Sequence, residues 1–322
     1  MRYVQLDTPK PLSKIGLGTW QFGSREWGYG PDYERLAADI VRRAVELGVT
    51  VFDTAEIYGL GRSERILGTA LAGDREKVTV ATKIFPVLPV AAVVQQRAVA
   101  SAARLGVSSI DLYQVHSPNP LVADGTTMRG MRALQDVGLV GEVGVSNYSL
   151  RRWQVAETVL GRRVLSNQVR YSMLDRKPEQ DLLPYAAQAG RVVIAYSPLA
   201  QGFLSGRYDA HHPPVGAIRR ANPYFLPENL ARGTALIETL RQVAAAHDAT
   251  PSQIALAYVL RHPNVVAIPG ASSVEQMERN AAAAEIDLTD DEYAALVNAA
   301  RAFRPLTGLA AVPRMIKTRA GR

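Results

Sequence analysis

The stretch Val51-Phe-Asp-Thr-Ala-Glu-Ile-Tyr-Gly-Leu-Gly61 runs from a short apolar segment into a glycine-rich turn and carries an acid, Asp53, and a phenol, Tyr58. Apolar runs of this length, without polar alternation, predict strands that are buried on both faces of a parallel sheet. Similar runs occur on both sides of it along the chain. The eight runs span residues 15–20, 49–54, 78–83, 110–116, 142–147, 166–171, 192–197 and 265–270.

Amphipathic stretches between these runs predict helices. Residues 33–47 place apolar side chains on one stripe and end at Gly48, and residues 89–105 repeat the pattern and end at Gly106. A serine opens the helix predicted for residues 149–160. Eight strands alternating with helices predict one (β/α)8 TIM barrel over residues 1–322, whose chemistry lies at the C-terminal ends of its strands.

Four segments lie outside the repeating units. Residues 1–14 are rich in turn formers and are expected to form a hairpin across the barrel floor. Residues 201–232 form a loop long enough to fold over a ligand. Residues 290–302 predict an extra C-terminal helix. For the tail, residues 303–322, disorder is one alternative.

Composition excludes several classes of protein. The 322 residues include no cysteine, so disulfides and thiolate sites are excluded. Five of the positive charges lie in the last twenty residues, which leaves +2 for the rest of the chain (+7 less 5) and argues against nucleic-acid binding. No apolar run is long enough to span a membrane, and no signal peptide is visible. We therefore expect a cytoplasmic protein with no membrane partner, either a monomer or a homo-oligomer.

Four chemically active side chains follow consecutive predicted strands. Asp53 and Tyr58 follow the second strand, Lys83 ends the third and His116 ends the fourth. Each alone is better explained as a cap, a packing residue or a solvated charge. Together at one barrel mouth they predict an active site, in which a lysine ammonium lowers the pKa of the phenol and the phenol protonates a carbonyl oxygen.

Several motifs resemble the aldo-keto reductase family, from residue 15 to about residue 300. The segments that carry the resemblance are Gly16-Leu-Gly-Thr-Trp20, Asp53-Thr-Ala-Glu-Ile-Tyr58, Asp111-Leu-Tyr-Gln-Val-His116, Gly144-Val-Ser-Asn147, Tyr196-Ser-Pro-Leu-Ala-Gln-Gly202 and Ile268-Pro-Gly-Ala-Ser-Ser-Val-Glu-Gln276. The chain looks most like the bacterial branch that is related to potassium-channel β-subunits. The resemblance implies a catalytic tetrad of Asp53, Tyr58, Lys83 and His116, with Tyr58 as general acid.

The resemblance also implies a nicotinamide cofactor bound across the barrel mouth. Ser146, Asn147 and Gln168 would hold its carboxamide, and Tyr196 would stack on its ring. The other implied cofactor residues are Gly18, Thr19, Trp20, Asp53, Ser197, Leu199, Gln201, Gly202, Gly270, Ala271, Ser272, Gln276, Arg279 and Asn280.

Cofactor preference is the point at which the chain departs from many relatives. Those relatives carry Lys or Arg directly after Ile-Pro-Gly, where it pairs with the 2′-phosphate of NADPH. Here Ala271 and two serines follow, and Arg279 is the candidate to replace the missing charge. NADPH is the expected cofactor, and NADH is the alternative.

The substrate side is less defined. Trp20, Trp27, Tyr58 and His116 are expected to line the pocket of a small-molecule carbonyl substrate, and Phe203, Tyr224 and Phe225 are expected to close over it. The leading interpretation is an NADPH-dependent reductase of aldehydes and ketones. A redox-sensing regulatory subunit that binds NADP(H) with negligible turnover is the alternative. No metal site is expected, because only His116 of the five histidines ends a predicted strand.

Overall fold

A computed structural model describes residues 1–23 and 33–315 of the chain. The strands are β1 Tyr3–Val4, β2 Leu12–Ser13, β3 Leu17–Gly18, β4 Val51–Asp53, β5 Thr79–Ile84, β6 Ile110–Val115, β7 Val140–Ser146, β8 Val164–Arg170, β9 Val192–Tyr196 and β10 Val265–Ala267. The helices are α1 Trp20–Gly23, α2 Tyr33–Glu46, α3 Arg62–Ala70, α4 Ala91–Leu105, α5 Asp124–Asp136, α6 Leu150–Leu160, α7 Leu182–Ala189, α8 Ala217–Arg220, α9 Pro227–Arg232, α10 Thr234–Ala246, α11 Pro251–Leu260, α12 Val274–Ala282 and α13 Asp290–Ala302.

The strands from β3 to β10 form one parallel sheet in which sequence neighbours are spatial neighbours. The sheet closes where Ile15, just before β3, pairs in parallel with Ala267 of β10. The amide of Gly16 donates to the Ala267 carbonyl at 2.8 Å, and the amide of Ala267 donates to the Lys14 carbonyl at 2.9 Å. The predicted (β/α)8 barrel is confirmed, with all eight predicted strands in place.

Local sequence signals explain where the helices begin and end. The hydroxyl of Ser149 caps α6, and Thr250 forms a capping box with Gln253 at the start of α11. Gly106 ends α4 with φ 67°, a left-handed conformation that a side chain would disfavour. These signals fix the ends of the helices that surround the sheet.

An antiparallel hairpin, β1 with β2, covers the floor of the barrel, as expected. Its side chains Val4 and Leu12 join the apolar cluster inside the barrel, which also includes Val51, Leu112 and Ile194. The barrel interior is therefore sealed at its N-terminal end. Its open end is the C-terminal edge of the strands.

The C-terminal helix α13 has the predicted bounds and opens with a capping box of Thr289 and Glu292. The structure describes the tail as far as Met315. Phe303 is buried, and the Asn229 side chain exchanges two hydrogen bonds with the backbone of Leu306. Residues 303–306 are thus packed against the long loop, because the buried Asn229 amide and the Phe303 ring hold them there. Among the described residues, no helix is both long and apolar enough to cross a membrane.

Candidate active site

The four predicted side chains converge at the open end of the barrel because parallel strands bring their C-terminal ends to one edge. Asp53 ends β4, Lys83 lies in β5 and His116 directly follows β6. Lys83 Nζ donates to Asp53 Oδ1 at 2.6 Å and to the Thr54 carbonyl at 2.8 Å. The same nitrogen lies 3.4 Å from the hydroxyl of Tyr58. The amine therefore lies within hydrogen-bond distance of both the carboxylate and the phenol.

Lys83 is fully buried, which is unusual for a lysine. Burial on its own would lower its pKa, but the charge of Asp53 and the nearby Tyr58 outweigh it, and the pKa of Lys83 is raised. The ammonium is therefore charged at neutral pH. A buried charge is tolerated when it is paired with an opposite charge, and Asp53 supplies that partner for Lys83.

Tyr58 differs from our expectation. Burial raises its pKa above the ordinary value for a phenol, and the opposing effect of the Lys83 charge is smaller. The expectation that Lys83 lowers the phenol's pKa is wrong in its net direction, since removing solvent disfavours a phenolate more than one ammonium favours it. Tyr58 therefore keeps its proton throughout the neutral range.

His116 packs edge-on against the Tyr58 ring, with centroids 5.9 Å apart, and against Phe85 at 6.0 Å. Burial and the charge of Lys83 lower the pKa of His116 to about 3. The imidazole is therefore neutral at physiological pH and has one N–H to donate.

The second oxygen of Asp53 also has partners. Oδ2 accepts from Gln168 Nε2 at 2.7 Å and from Gln114 Nε2 at 3.4 Å. Gln168 was expected to face a carboxamide, and its amide nitrogen instead contacts the acid while the residue still lines the cleft. Gln114 was not predicted, because its side chain lies inside the barrel in a run that reads as plain strand.

A cleft of about 1190 Å³ extends over the barrel mouth from Trp20 to Gln276. Most residues predicted to contact cofactor or substrate line it. These are Gly18, Trp20, Asp53, Tyr58, His116, Ser146, Asn147, Gln168, Tyr196, Ser197, Leu199, Gln201, Gly202, Gly270, Ser272 and Gln276. Trp27, the other predicted pocket wall, lies outside the described residues.

Five predicted site residues do not line the cleft. Lys83 lies behind Asp53 and Tyr58, and Thr19 is buried with its hydroxyl 2.9 Å from the Asp53 carbonyl. Ala271 is fully buried, and Asn280 is buried with its amide donating to the Gly270 carbonyl at 3.3 Å. Arg279 is exposed on α12. Thr19, Ala271 and Asn280 therefore support the backbone that forms the cleft wall.

Polar side chains at the C-terminal ends of β7 and β9 form a connected group in the cleft. Ser146 Oγ donates to the Gln168 carbonyl at 2.8 Å, and Asn147 Nδ2 donates to Ser146 Oγ at 3.1 Å. The hydroxyl of Tyr196 donates to Asn147 Oδ1 at 3.0 Å. The Tyr196 ring is thereby fixed beside a row of amide groups.

The turn after β9 has an unusual run of left-handed backbone. The φ angles are 51° at Ser197, 48° at Ala200, 57° at Gln201 and 98° at Gly202. Turns of this type gather backbone N–H groups into a concave surface that suits an anion. Arg219 Nε donates to the Gln201 carbonyl at 3.1 Å and holds this turn against the short helix α8.

The far end of the cleft is formed by the segment that begins at Gly270. Gln21 Nε2 donates to the Ala271 carbonyl at 2.8 Å, and a Cβ at Gly270 would lie 2.4 Å from the Gln21 amide. The amide and hydroxyl of Ser272 both donate to Gln276 Oε1 at 2.8 Å. A side chain at position 270 would therefore have to displace the Gln21 amide.

Sequence reasoning missed several residues that line the cleft. Gln21, Arg207 and Arg219 are among them, and so are the apolar Ile57 and Phe85. Ile57 adjoins Tyr58 and Phe85 lies two residues after Lys83, so their positions in the sequence were a usable signal. The two arginines lie in the long loop, where no periodic pattern indicates which side chains turn inward.

The three aromatic residues expected to close over a substrate are placed elsewhere. Phe203 is buried, and its ring packs on Tyr224 at 5.8 Å, Phe225 at 6.1 Å and Phe303 at 5.3 Å. None of these four residues lines the cleft. The expectation is wrong because the loop buries its own aromatic side chains as an anchor between the barrel and the C-terminal tail.

Comparisons with known proteins agree with this geometry. An uncharacterized oxidoreductase of Mycobacterium tuberculosis is 56% identical over 308 residues, covering 95% of each chain. The methylglyoxal reductase YeaE of Escherichia coli is 31% identical, covering 96% of this chain and 98% of that protein. The crystal structure of an aldo/keto reductase from Klebsiella pneumoniae in complex with NADP and acetate superposes with a TM-score of 0.76 at 30% identity, covering 94% and 95% of the two chains.

The sequence model of the Aldo/keto reductase family matches residues 14–301, which include every strand of the barrel. This agrees with the resemblance noted from the motifs. The chain therefore belongs to the aldo/keto reductase family of oxidoreductases.

Proposed function

We propose that the protein is an NADPH-dependent reductase that converts aldehydes and ketones to alcohols, with Tyr58 as the proton donor. The proposal rests on a chain of contacts at the wall of the cleft. Lys83 Nζ lies 2.6 Å from Asp53 Oδ1 and 3.4 Å from the Tyr58 hydroxyl. Such a chain of contacts can deliver a proton to a carbonyl oxygen while a hydride reaches the carbonyl carbon.

The residues along the cleft suit a nicotinamide dinucleotide. The amide group around Asn147 and the ring of Tyr196 suit the carboxamide and the nicotinamide ring. The left-handed turn at residues 197–202, with Arg207 and Arg219 on the same cleft wall, suits a pyrophosphate. When bound, NADPH supplies the hydride for the carbonyl carbon.

Tyr58 acts as an acid because it still holds its proton at neutral pH. As negative charge develops on the carbonyl oxygen, the phenol proton passes to that oxygen and the product is an alcohol. The charged Lys83 then stabilises the phenolate that remains, and Asp53 keeps the lysine charged and in place. The burial that raises the pKa of Tyr58 thus keeps the proton available, and the lysine offsets the cost of releasing it.

His116 orients the substrate in this proposal. Its neutral ring is held at 5.9 Å from the Tyr58 ring, so its N–H and the phenol reach the same small volume. A carbonyl oxygen in that volume accepts two hydrogen bonds, which fixes the direction of proton transfer. Trp20, which packs at 6.4 Å from Tyr58, forms the adjacent wall.

NADPH is preferred to NADH in this proposal, although no Lys or Arg directly follows Gly270. Ser272 lines the far end of the cleft, and Arg279 lies on α12, which begins at Val274. Arg279 is exposed and can reach a 2′-phosphate that extends beyond the cleft wall. A solved relative from Klebsiella pneumoniae holds NADP, which supports the same choice.

The substrate is a small carbonyl compound with an apolar portion. Trp20, Ile57, Leu60 and Phe85 are exposed at the cleft wall beside Tyr58, and an apolar group on the substrate would cover them. One relative is named as a methylglyoxal reductase, so reduction of dicarbonyl compounds belongs in the same test.

The test is to follow absorbance at 340 nm with NADPH and with NADH against a panel of aromatic, aliphatic and dicarbonyl aldehydes. We expect turnover with NADPH on at least one class and weaker turnover with NADH. Tight retention of NADP(H) with no turnover on the whole panel would contradict the reductase and favour the redox-sensing alternative.

A further inference from the structure

We propose that Gln114, held in place by Ser166, is a positioning residue that orients Asp53 toward Lys83 and Tyr58. This proposal rests on the proposed function, since it concerns how the proton donor is held. It extends the site inward by two residues on β6 and β8, neither of which lines the cleft.

The first step is the way in which Asp53 is surrounded. Its Oδ1 accepts from Lys83 at 2.6 Å, and its Oδ2 accepts from the amides of Gln168 and Gln114. All four side chains are buried. If a carboxylate with partners on both oxygens rotates, it breaks a hydrogen bond where water has little access. Each partner therefore restricts its orientation.

The second step is the orientation of the Gln114 amide. Ser166 Oγ donates to Gln114 Oε1 at 3.1 Å, which directs the amide nitrogen toward Asp53. The reversed amide would place its oxygen against the carboxylate, and two acceptors repel. Ser166 is fully buried and its hydroxyl therefore requires this partner.

The third step is the space that the pair occupies. A Cβ on Gly144, in the strand between them, would lie 2.3 Å from Ser166 Oγ and 2.9 Å from Gln114 Cγ. The glycine thus leaves room for two polar side chains to meet across β7. On the floor side of this pair the barrel interior is filled mainly by apolar side chains, which include Leu112 and Leu165.

The consequence for the site follows from the contacts of Lys83. Its amine faces Asp53, Tyr58 and the His116 ring, and Tyr196 is the next titratable group beside Tyr58. If Asp53 turns, the lysine follows the carboxylate and its 3.4 Å contact with the phenol lengthens. Gln114 therefore acts on Tyr58 through Asp53 and Lys83, and it touches neither substrate nor cofactor.

The kinetic test compares Gln114→Leu, Ser166→Ala and the double variant with wild type. We expect Gln114→Leu to lower kcat about tenfold, the effect of losing one hydrogen bond to a charged group, with carbonyl KM and NADPH Kd changed less than about twofold. The alkaline limit of kcat should move to higher pH, because a Lys83 ammonium held farther from the phenol lowers the pKa of Tyr58 less. Ser166→Ala should lower kcat in wild type and have no further effect in Gln114→Leu.

Thr79→Val is the matched control for Ser166→Ala. It also removes a buried hydroxyl, but Thr79 lies on the floor side of the barrel. It should retain wild-type kcat and pH dependence. Equal kcat in wild type and Gln114→Leu, or an additive Ser166→Ala effect, would overturn the proposal.

A second measurement does not depend on turnover. Urea midpoints are compared for Gln114→Leu, Asp53→Asn and the double variant, all in full-length protein. We expect the double variant to shift the midpoint by less than the two separate shifts together, because the residues contact each other. Additive shifts would contradict the proposal. Coupled shifts in a protein that shows no turnover would instead count against the proposed function alone.

Discussion

At the scale of single residues, the site depends on opposite effects of burial on two neighbouring groups. Burial raises the pKa of Tyr58 and lowers that of His116 to about 3, so both are uncharged across the neutral range. The sequence identified both residues but gave the wrong sign for Tyr58. The reason is that a motif shows which charge is nearby, whereas the amount of solvent removed depends on the packed structure.

The pH dependence of carbonyl reduction follows from these two groups. Because the proposed proton donor, Tyr58, must hold its proton in order to act, its raised pKa moves the loss of activity to higher pH. We expect kcat to be level from about pH 6 to 9 and to fall only near or above the ordinary phenol value of about 10. Initial rates at saturating substrate and cofactor check this. An inflection near pH 6.5 would contradict the neutral His116.

The same burial of His116 affects stability. His116 takes up a proton near pH 6.5 in the unfolded chain and near pH 3 in the folded chain. Its contribution to the free energy of unfolding is therefore fully present above pH 6.5 and is lost as the pH falls toward 3. We expect wild type to lose about 2 kcal/mol more than His116→Gln between pH 7 and 4.5. Urea unfolding at both pH values measures the difference. Equal losses in the two proteins would show that His116 titrates normally.

At the scale of elements, strands and helices were predictable and loops were not. All six residues of β5 are buried, so its apolar run was a direct signal of its place in a parallel barrel. The long loop after β9 carries no such signal. Phe203 and Tyr224 pack on Phe303, and Arg207 and Arg219 line the cleft, because tertiary contacts decide the direction of each side chain.

The short helix α8 gives the prediction at this scale. Arg219 lines the cleft and holds the left-handed turn at Gln201, whereas the neighbouring Arg220 does not line it. We expect Arg219→Met to weaken NADPH binding about tenfold, the effect of losing one charge-assisted hydrogen bond, and Arg220→Met to leave it unchanged. Fluorescence titration with NADPH measures both dissociation constants. Equal affinities in the two variants would remove Arg219 from the cofactor site.

At the scale of the whole molecule, the barrel is closed at one end and carries the proposed catalytic groups at the other. The hairpin of β1 and β2 fills the floor with Val4 and Leu12, and Asp53, Tyr58, Lys83 and His116 lie at the mouth. The pattern of eight buried runs predicted the barrel, and the turn formers in residues 1–14 predicted the hairpin. The inner polar pair of Gln114 and Ser166 was not predicted, since its meaning depends on a carboxylate that lies on a different strand.

Because the floor and the mouth are separate, we expect a substitution in the hairpin to lower the free energy of unfolding without lowering kcat. Leu12 is buried in the hairpin, and Leu12→Ala should lower the free energy of unfolding by about 2–4 kcal/mol. At a temperature where the variant is folded, kcat should stay near wild type. The exposed Val99 on α4 supplies the control, since Val99→Ala should cost less than about 0.5 kcal/mol. Urea unfolding checks both, and an equal cost at the two sites would mean that the hairpin does not seal the core.

The central claim is that hydride addition to a carbonyl carbon is coupled to proton donation by Tyr58. The most direct measurement supplies NADPH deuterated at the transferred position with an active aldehyde and locates the deuterium in the product by mass spectrometry, for wild type and Tyr58→Phe. We predict one deuterium on the alcohol carbon with wild type. With Tyr58→Phe we predict a rate lower by about a thousandfold or more and NADPH binding within a few-fold of wild type. Wild-type turnover by Tyr58→Phe, or an alcohol without deuterium, would contradict the account.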